Sequence, residues 1–391
     1  MKTQISELLK ISKTVIADCA LPNGAIVAAN SSKSYFPKEA KNYRYVWPRD
    51  ALYICMAANI LGLNIEEKFF SWCMKAEGWK QTGLFYEKYF VNGKKARHHF
   101  QPDQTGSILI ALFNYYKHTQ KKCSGDKFEE LIKKSAEGLC KVWDTDHFKI
   151  VTQDLWEERL CFPDLEENFT YSLAICSRGL FCANELIPNP NWLKTAQEMK
   201  NVLLNNFKDQ NYFYRSAGKI NDLRVDASLL GLVWPSRIIK ADGKRMKKTV
   251  QLIEKKLVKT FGLYRYEHDN YDGWMYKNNT SNEMHRKKGA GYWPLLNFWM
   301  TIYYAQKYKD ISGTPKICKI FERLEKSSGS NNLNDRKKAA EYYHKVLSDL
   351  TIRNTHFIPE QIFNNNIQVA VSPLCWSHAM FVIATKKLGF V

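Results

Sequence analysis

Amphipathic helical periodicity recurs along the whole chain and limits the folds that it can adopt. The segment DQTGSILIALFNYYKHT places Ile108, Leu109, Leu112 and Tyr116 on one helical face. FTYSLAICSRGLFCANELIPNP has the same periodicity and reaches a proline where a helix must end. Further helices are predicted at about 4–18, 50–62, 65–75, 127–143, 191–206, 225–234, 246–258, 293–308, 314–326, 335–350 and 375–388.

Strand-like segments are few and short. HFKIVT, YFYRSA and GLYRYE are expected to line loops or to form small hairpins, and SSGSNNLND at 327–335 is the best candidate for a flexible loop. The chain is therefore predicted to be all-α. Antiparallel helix pairs can close into a ring whose loops form a concave floor, but an α-solenoid has the same periodicity. The pattern leaves both architectures open.

The composition excludes several functional classes. The chain has 58 Lys and Arg against 39 Asp and Glu, a net charge of +19, but the lysines are scattered, which favours a solvated basic surface over a nucleic-acid site. Its 10 cysteines form no CxxC or Cys/His cluster, which fits a reduced compartment and no metal site. The first residues lack a signal-peptide core, and no segment has the roughly 20 apolar residues of a membrane span. We expect a cytoplasmic protein with no nucleic-acid or membrane partner.

Aromatic residues are unusually frequent and lie beside charged ones. They make up 14% of the chain, with 11 Trp and 21 Tyr, and occur in mixed stretches such as YRYVWPRD and GLYRYEHDNYDGW. Aromatic rings can cover the apolar faces of a sugar, while carboxylates and guanidinium groups bind its hydroxyls. This combination indicates a polyhydroxyl ligand.

Four such stretches lie at or near the ends of predicted helices, where side chains can converge. The stretch DLWEE opens a segment, DLWEERLCFPDLEENFTYS, that gathers six carboxylates around one tryptophan in a basic chain. Acid there suggests either a solvated acidic face or a catalytic carboxylate. The four stretches are YRYVWPRDA (43–51), FQPDQTG (100–106), DLWEE (154–158) and HFIPEQ (356–361).

Together and in this order, these stretches resemble glycoside hydrolase family 15, the glucoamylase-type family. The resemblance runs from about Tyr43 to the C-terminus and includes GLYRYEHDNYDG, GYWPLLNFWMTIYYA and LCWSHAMFVIA. It implies an (α/α)6 barrel, here expected as a single domain over 1–391 without the N-terminal β-sandwich of many relatives. The fold it implies agrees with the predicted helices.

The resemblance also implies the catalytic pair. Hydrolysis of a glycosidic bond needs two carboxyl groups in different protonation states. Glu157 matches the general acid, and an apolar setting should raise its pKa to roughly 6. Glu360 matches the general base, and inversion requires the two carboxyls to be about 6.5–9.5 Å apart. The alternative for Glu360 is a solvated loop residue after Pro359.

Substrate binding is assigned by the same resemblance, with structural alternatives. Arg49 and Asp50 are expected to grip a terminal glucose, although Asp50 would also suit a helix N-terminus. Arg265 could instead form an ion pair with Glu267 or Asp269, and the aromatic members could be plain core. The predicted substrate-binding residues are Tyr43, Trp47, Arg49, Asp50, Phe100, Asp103, Asp154, Trp156, Glu158, Arg265 and Trp293.

Two features depart from the family pattern. Phe100 occupies a position where tryptophan is common. The segment after DLWEE is longer than expected, and its acids, Asp164, Glu166 and Glu167, are predicted to lie on a surface loop.

The sequence thus predicts an inverting, exo-acting hydrolase that releases glucose from the non-reducing end of an α-glucan or oligosaccharide, without cofactor or metal. A trehalase or glucodextranase of the same family is the alternative within the class. A non-catalytic carbohydrate-binding barrel, like the regulatory subunits of phosphorylase kinase, is the alternative outside it. The candidate substrates are an α-glucan, a maltooligosaccharide or trehalose, and the oligomeric state stays open.

Overall fold

Helices alternate along the chain between an inner and an outer layer. The computed structural model describes residues 2–38, 40–273, 289–312, 331–363 and 370–391. Within these ranges the helices are α1 (Lys2–Cys19), α2 (Pro48–Leu61), α3 (Glu66–Cys73), α4 (Trp79–Thr82), α5 (Pro102–Thr119), α6 (Glu129–Val142), α7 (Thr170–Leu186), α8 (Pro190–Asn206), α9 (Lys244–Leu257), α10 (Pro294–Ser312), α11 (Asn331–Ile352) and α12 (Cys375–Leu388). Short 3-10 helices cover Pro163–Leu165 and Ala227–Leu232.

The inner layer closes on itself. The helices α2, α5 and α7, the 3-10 helix Ala227–Leu232, α10 and α12 contact one another in that order, and α12 returns to α2. The outer layer consists of α1, which precedes the first inner helix, and of α3, α6, α8, α9 and α11, each between two inner elements in the sequence. The fold is an (α/α)6 barrel, as the resemblance implied, and ring closure excludes an open solenoid.

The two layers differ in their apolar pattern. The inner helix α12 is buried along almost its whole length, from Cys375 to Thr385. The outer helix α9 buries a single stripe, with Met246, Val250, Ile253 and Leu257 at helical spacing. A helix that is apolar all round must be covered on every side, whereas an amphipathic one can face solvent. None of the described helices combines the length and apolarity needed to cross a membrane.

Eight two-residue strands form four antiparallel ladders between helices. They pair β1 (Trp143–Asp144) with β2 (His147–Phe148), β3 (Thr152–Gln153) with β4 (Leu160–Cys161), β5 (Asn168–Phe169) with β6 (Ser216–Ala217), and β7 (Val258–Lys259) with β8 (Gly262–Leu263), within the described residues. Each of the three predicted strand-like segments contributes to one or more of these ladders, so that prediction is confirmed.

Three predictions need correction or fall outside the described ranges. The predicted helix at 225–234 is the shorter 3-10 helix Ala227–Leu232. The loop predicted at 327–335 is wrong at its end, because α11 begins at Asn331. The predicted helix at 314–326 and the residues 327–330 lie outside the described residues. The one-turn helix α4 was not predicted.

Helices α5 and α7 touch through backbone atoms. A Cβ added at Gly106 would lie 2.8 Å from the Ile175 carbonyl oxygen, and one added at Gly179 would lie 2.8 Å from the Gly106 carbonyl oxygen. Neither glycine has a positive φ, so the requirement is space and not backbone conformation. The contact fixes the distance between two inner helices just behind the cavity described below.

We expect Gly179→Ala to destabilise the protein by about 1–3 kcal/mol, because the added methyl must push apart two packed backbones. The melting temperature measures this. Gln197→Ala, on the exposed face of α8, is the control and should change stability by less than about 0.5 kcal/mol. Equal melting temperatures for the two variants would contradict the proposed backbone contact.

Candidate active site

One end of the barrel contains a cavity of about 330 Å³, formed by the loops that precede or connect inner helices. Ten residues predicted from the sequence line it: Tyr43, Trp47, Arg49, Asp50, Trp156, Glu157, Glu158, Arg265, Trp293 and Glu360. The lining therefore draws on the first, third and fourth of the predicted stretches and on the GLYRYE region. Residues far apart in sequence meet there because the ring of helices is closed.

The cavity faces the N-terminal ends of inner helices. Trp47 is the N-cap of α2, and Arg49 and Asp50 lie in its first turn. Leu374 is the N-cap of α12 and lines the same cavity. Trp293 directly precedes Pro294, the first residue of α10. The N-terminal ends of three inner helices thus bring polar and aromatic side chains to a single cavity.

The DLWEE loop separates its two adjacent glutamates. Glu157 has a φ of 64°, in the left-handed region. The Asp154 carboxylate accepts hydrogen bonds from the backbone N–H groups of Glu158 and Arg159, both at 2.9 Å. The turn directs the Glu157 side chain toward Trp47 and the Glu158 side chain toward Arg265.

A buried ionic network supports this loop from below. Arg215 binds Asp154 and lies 3.5 Å from Asp226, and all three side chains are at most 4% exposed. The Trp156 indole N–H donates to Asp226 at 3.0 Å. Asp154 is therefore held beneath the loop and does not line the cavity.

The Glu157 carboxyl is partly enclosed by donors. The Trp47 indole N–H donates to Oε1 at 2.5 Å, and the Lys88 ammonium lies 3.2 Å from Oε2. Burial raises the pKa of Glu157 above its usual value, against the opposing effect of Lys88, and the nearby Glu87 carboxylate raises it further. This setting favours the protonated form of the Glu157 carboxyl.

The Glu360 carboxyl is deeply buried, which rules out a solvated loop residue. It is 3% exposed, and its Oε1 accepts a hydrogen bond from the Tyr43 hydroxyl at 2.9 Å. Tyr271 and Tyr43 share a hydrogen bond of 2.7 Å, which extends the chain of hydroxyls. Burial raises the pKa of Glu360 to about 7, while the Tyr43 hydrogen bond and the charges of Lys41 and Arg265 lower it.

Arg49 is fixed by the FQPDQTG stretch. Its guanidinium Nη1 donates to Gln101 at 3.0 Å and lies 3.2 Å from Asp103, and its backbone N–H donates to Gln104 at 2.6 Å. Beside it, burial raises the pKa of Asp50 to about 7 despite the attraction of Arg49. The FQPDQTG stretch thus fixes the Arg49 side chain, which lines the cavity.

Phe100 and Asp103 were predicted to bind substrate, but neither lines the cavity. Asp103 is fully buried behind Arg49 and also accepts from Ser172 at 3.2 Å. The Phe100 ring packs against Tyr86 and Phe148. Asp103 and Asp154 instead hold the lining residues Arg49 and Glu158, whereas the ring partners of Phe100 do not line the cavity.

Arg265 forms the ion pair of the structural alternative and also lines the cavity. Its guanidinium binds Asp269 at 2.7 Å, as the ion-pair alternative required, and it also lines the cavity and binds Glu158 at 2.6 Å. The charged group is 2% exposed and lies over the rings of Trp156 and Trp293 at 5.2 and 5.1 Å. Glu267 pairs instead with Lys256.

The acids after DLWEE are not all on the surface. Glu167 was predicted to be exposed, but it is 4% exposed and binds Arg159 at 2.8 Å and the Ser216 hydroxyl. Asp164 is exposed, as expected, and Glu166 is partly buried. The β5–β6 ladder brings Ser216 beside Glu167, a contact that local sequence does not reveal.

Seven lining residues were missed from the sequence: Ala28, Lys41, Lys88, Leu155, Tyr271, Leu374 and Trp376. Several adjoin stretches that were recognised. Tyr271 follows GLYRYE, Trp376 lies in LCWSHAM, and Lys41 precedes YRYVWPRD. Adjacency to those stretches is the signal that could have found them, whereas Lys88 has no such neighbour.

Five lining residues have a buried polar atom without a hydrogen-bond partner among the described residues. They are Arg49 Nε, Asp50 Oδ1, Trp293 Nε1, Glu360 Oε2 and Trp376 Nε1. Buried polar atoms are usually paired, because an unmade hydrogen bond costs about 1–3 kcal/mol. Both donors and acceptors thus belong to residues that line one cavity, which suits a ligand rich in hydroxyl groups. The described part of the chain contains no cluster of His, Cys, Asp and Glu able to hold a metal ion.

Sequence comparison finds two archaeal relatives. The chain is 30% identical over 374 residues to an uncharacterised glycosyl hydrolase of Methanocaldococcus jannaschii, covering 92% of this chain and 52% of that protein. It is 27% identical over 285 residues to Trehalase 2 of Sulfolobus acidocaldarius, covering 63% of this chain and 47% of that protein. The chain spans about half the length of these relatives.

Structural comparison finds the same fold in glycosidases. A glycosidase variant in complex with glucose superposes with a TM-score of 0.72 at 17% identity, covering 100% of this chain and 98% of that one. A glucoamylase from Saccharomycopsis fibuligera gives 0.70 at 13% identity, covering 99% and 96%. The family model for glycosyl hydrolases family 15 matches residues 4–386. That match extends over nearly the whole chain, and we conclude that this protein belongs to glycosyl hydrolases family 15.

Proposed function

We propose that this protein is an inverting glycoside hydrolase that releases glucose from the non-reducing end of α-glucans or α-glucooligosaccharides. One observation carries the proposal: Glu157 and Glu360, 203 residues apart, line the same cavity with different partners. Glu157 accepts a hydrogen bond from an indole N–H and pairs with an ammonium, whereas Glu360 accepts a hydrogen bond from a tyrosine hydroxyl. Two distinct carboxyl environments are what acid–base hydrolysis of a glycoside requires.

The reaction assigns one proton transfer to each carboxyl. Glu157 donates its proton to the glycosidic oxygen as the bond to the anomeric carbon breaks. A water molecule attacks that carbon from the opposite face and gives its proton to Glu360. The attacking oxygen becomes the new anomeric hydroxyl, so the configuration inverts. We assign this proton to Oε2 of Glu360, which is buried and has no hydrogen-bond partner of good geometry within the described residues.

The remaining lining residues suit a terminal sugar. Arg49 Nε and Asp50 Oδ1 lie 3.7 Å apart and have no hydrogen bond within the described residues, so they can bind adjacent hydroxyls with charge-assisted hydrogen bonds. Trp156, Trp293 and Trp376 supply aromatic surface for the apolar faces of the ring. The cavity volume of about 330 Å³ is at the low end of the roughly 300–1,000 Å³ of ligand pockets, which supports binding of a chain end.

A trehalase is the second candidate within the family, favoured by the relative named Trehalase 2. Trehalose, maltose, isomaltose and starch, each assayed for released glucose, separate the candidates. Release from trehalose alone would replace the α-glucan proposal. Oligosaccharide binding without hydrolysis of any α-glucoside at any pH would instead support a non-catalytic barrel.

We expect Glu157→Gln and Glu360→Gln each to lower kcat by about 10²–10⁴-fold, because each removes one proton transfer. Initial rates and melting temperatures are measured together. Glu166→Gln, whose partly exposed side chain pairs with Lys219, is the matched control and should keep its activity. A glutamine variant that folds normally and retains the full rate would remove that glutamate from the mechanism.

The stereochemistry provides an independent prediction. If water attacks opposite the leaving group, an α-glucoside yields β-glucose first, which proton NMR detects before mutarotation. Initial α-glucose would indicate a retaining mechanism and would contradict the role given to Glu360.

Activity should fall as the pH drops through about 7, because Glu360, whose pKa burial raises to about 7, must be ionised to accept a proton. The Tyr43 hydrogen bond stabilises the ionised form. Tyr43→Phe should therefore raise the pKa of Glu360 and move the acidic limb of kcat/KM to higher pH by about 1 unit. Tyr212→Phe, away from the cavity, is the control, and an acidic limb that stays in place in Tyr43→Phe would contradict the assignment.

A further inference from the structure

A further buried carboxylate, Glu87, lies beside the proposed acid. It belongs to FYEKYF, between α4 and α5, and is 3% exposed without lining the cavity. The Lys88 ammonium lies 3.1 Å from Glu87 Oε1 and 3.2 Å from Glu157 Oε2. The two carboxyls therefore share one ammonium, and each influences the pKa of the other.

Glu87 is fixed on its other sides. Its Oε2 lies 3.1 Å from His99 Nδ1, and its backbone N–H donates to the His99 carbonyl at 3.0 Å. Its own carbonyl accepts from the Gln104 amide at 2.9 Å. Gln104 also accepts from the Arg49 backbone N–H, so the start of α5 holds both Glu87 and Arg49.

The charges around the pair decide which carboxyl carries the proton. Glu87 faces Lys88 and His99, and burial, which would raise its pKa, is outweighed by the hydrogen bond with Glu157 and by these two groups. Glu157 faces Lys88, Arg49 and Trp47, and also the carboxyls of Glu87 and Asp50. Both carboxyls contact one ammonium in a buried setting, where ionisation of both is disfavoured, so the pair favours holding one proton.

We propose that Glu87 is a positioning carboxylate. It accepts a hydrogen bond from the protonated carboxyl of Glu157 and so keeps Glu157 protonated. Trp47 donates to Glu157 Oε1 at 2.5 Å, whereas Lys88 donates to Oε2 at the longer distance of 3.2 Å, so we place the proton on Oε2. When the proton moves to the glycosidic oxygen, the Glu157 carboxylate is left with Lys88 and Trp47 as partners. Water returns a proton after the sugar leaves. This role rests on the proposed function.

The test compares wild type with Glu87→Gln, which has nearly the same shape but no charge. Without the neighbouring negative charge, Glu157 should lose its proton more readily. The alkaline limb of kcat/KM should move to lower pH by about 1 unit, and kcat above pH 7 should fall about 10-fold on the best natural substrate of the panel. Glu87→Asp, which keeps the charge, should restore part of the lost rate.

The leaving group distinguishes this role from a merely structural one. α-Glucosyl fluoride releases fluoride, which needs little proton donation, so Glu87→Gln should retain nearly the wild-type kcat on it. Equal losses on the fluoride and on the natural substrate would overturn the proposal. Glu185→Gln, exposed on α7, is the control and should leave both rates and both pH limbs unchanged.

A second readout does not depend on turnover. The infrared carbonyl band of a protonated carboxyl that Glu157→Gln abolishes should titrate at lower pH in Glu87→Gln than in wild type. An unchanged titration in a folded Glu87→Gln variant overturns the role of Glu87. If wild type hydrolyses no α-glucoside but the band shifts as stated, the proposed function fails and the shared proton stands.

Discussion

The site depends on the contact between α12 and α2, the last and first helices of the inner ring. Without that closure, the loop before α12 and the DLWEE loop would lie at distant points of an extended solenoid. With it, Glu360 and Glu157 line one cavity. The N-cap residues Trp47 and Leu374 line this cavity too, so the contact that closes the ring also brings the site residues together.

Burial gives the assembled site its chemistry. It raises the pKa of Asp50 and of Glu360 to about 7, and it raises the pKa of Glu157. Each of these carboxyls has a cation near it, which lowers the free-energy cost of ionising the buried group. The Arg49 and Arg265 guanidinium groups are themselves fixed by buried acids, Asp103 and Asp269. The cavity thus contains three carboxyls whose protonated forms are favoured by burial and opposed by nearby cations, and residues outside the cavity hold two of those cations in place.

Periodicity and the recognised stretches were enough to predict the helices, the closed barrel and ten of the lining residues. They were not enough to separate residues that touch the cavity from those that hold them. Asp103 lies in the first turn of α5, on the far side of the Arg49 guanidinium, and local sequence does not show which side of that group a carboxylate takes. Glu167 and Glu87 are buried by partners brought from elsewhere in the fold, Ser216 and Gln104. Such contacts depend on tertiary packing, which spacing along the chain does not encode.

The central claim is that Glu157 and Glu360 act from opposite faces of one sugar across a gap that admits water. A crystal structure with bound glucose measures this directly. The account predicts glucose in the 330 Å³ cavity, carboxyls about 6.5–9.5 Å apart, and a water on Glu360 below the anomeric carbon. A separation of about 5–5.5 Å, as in retaining enzymes, or glucose bound away from both glutamates, would contradict it.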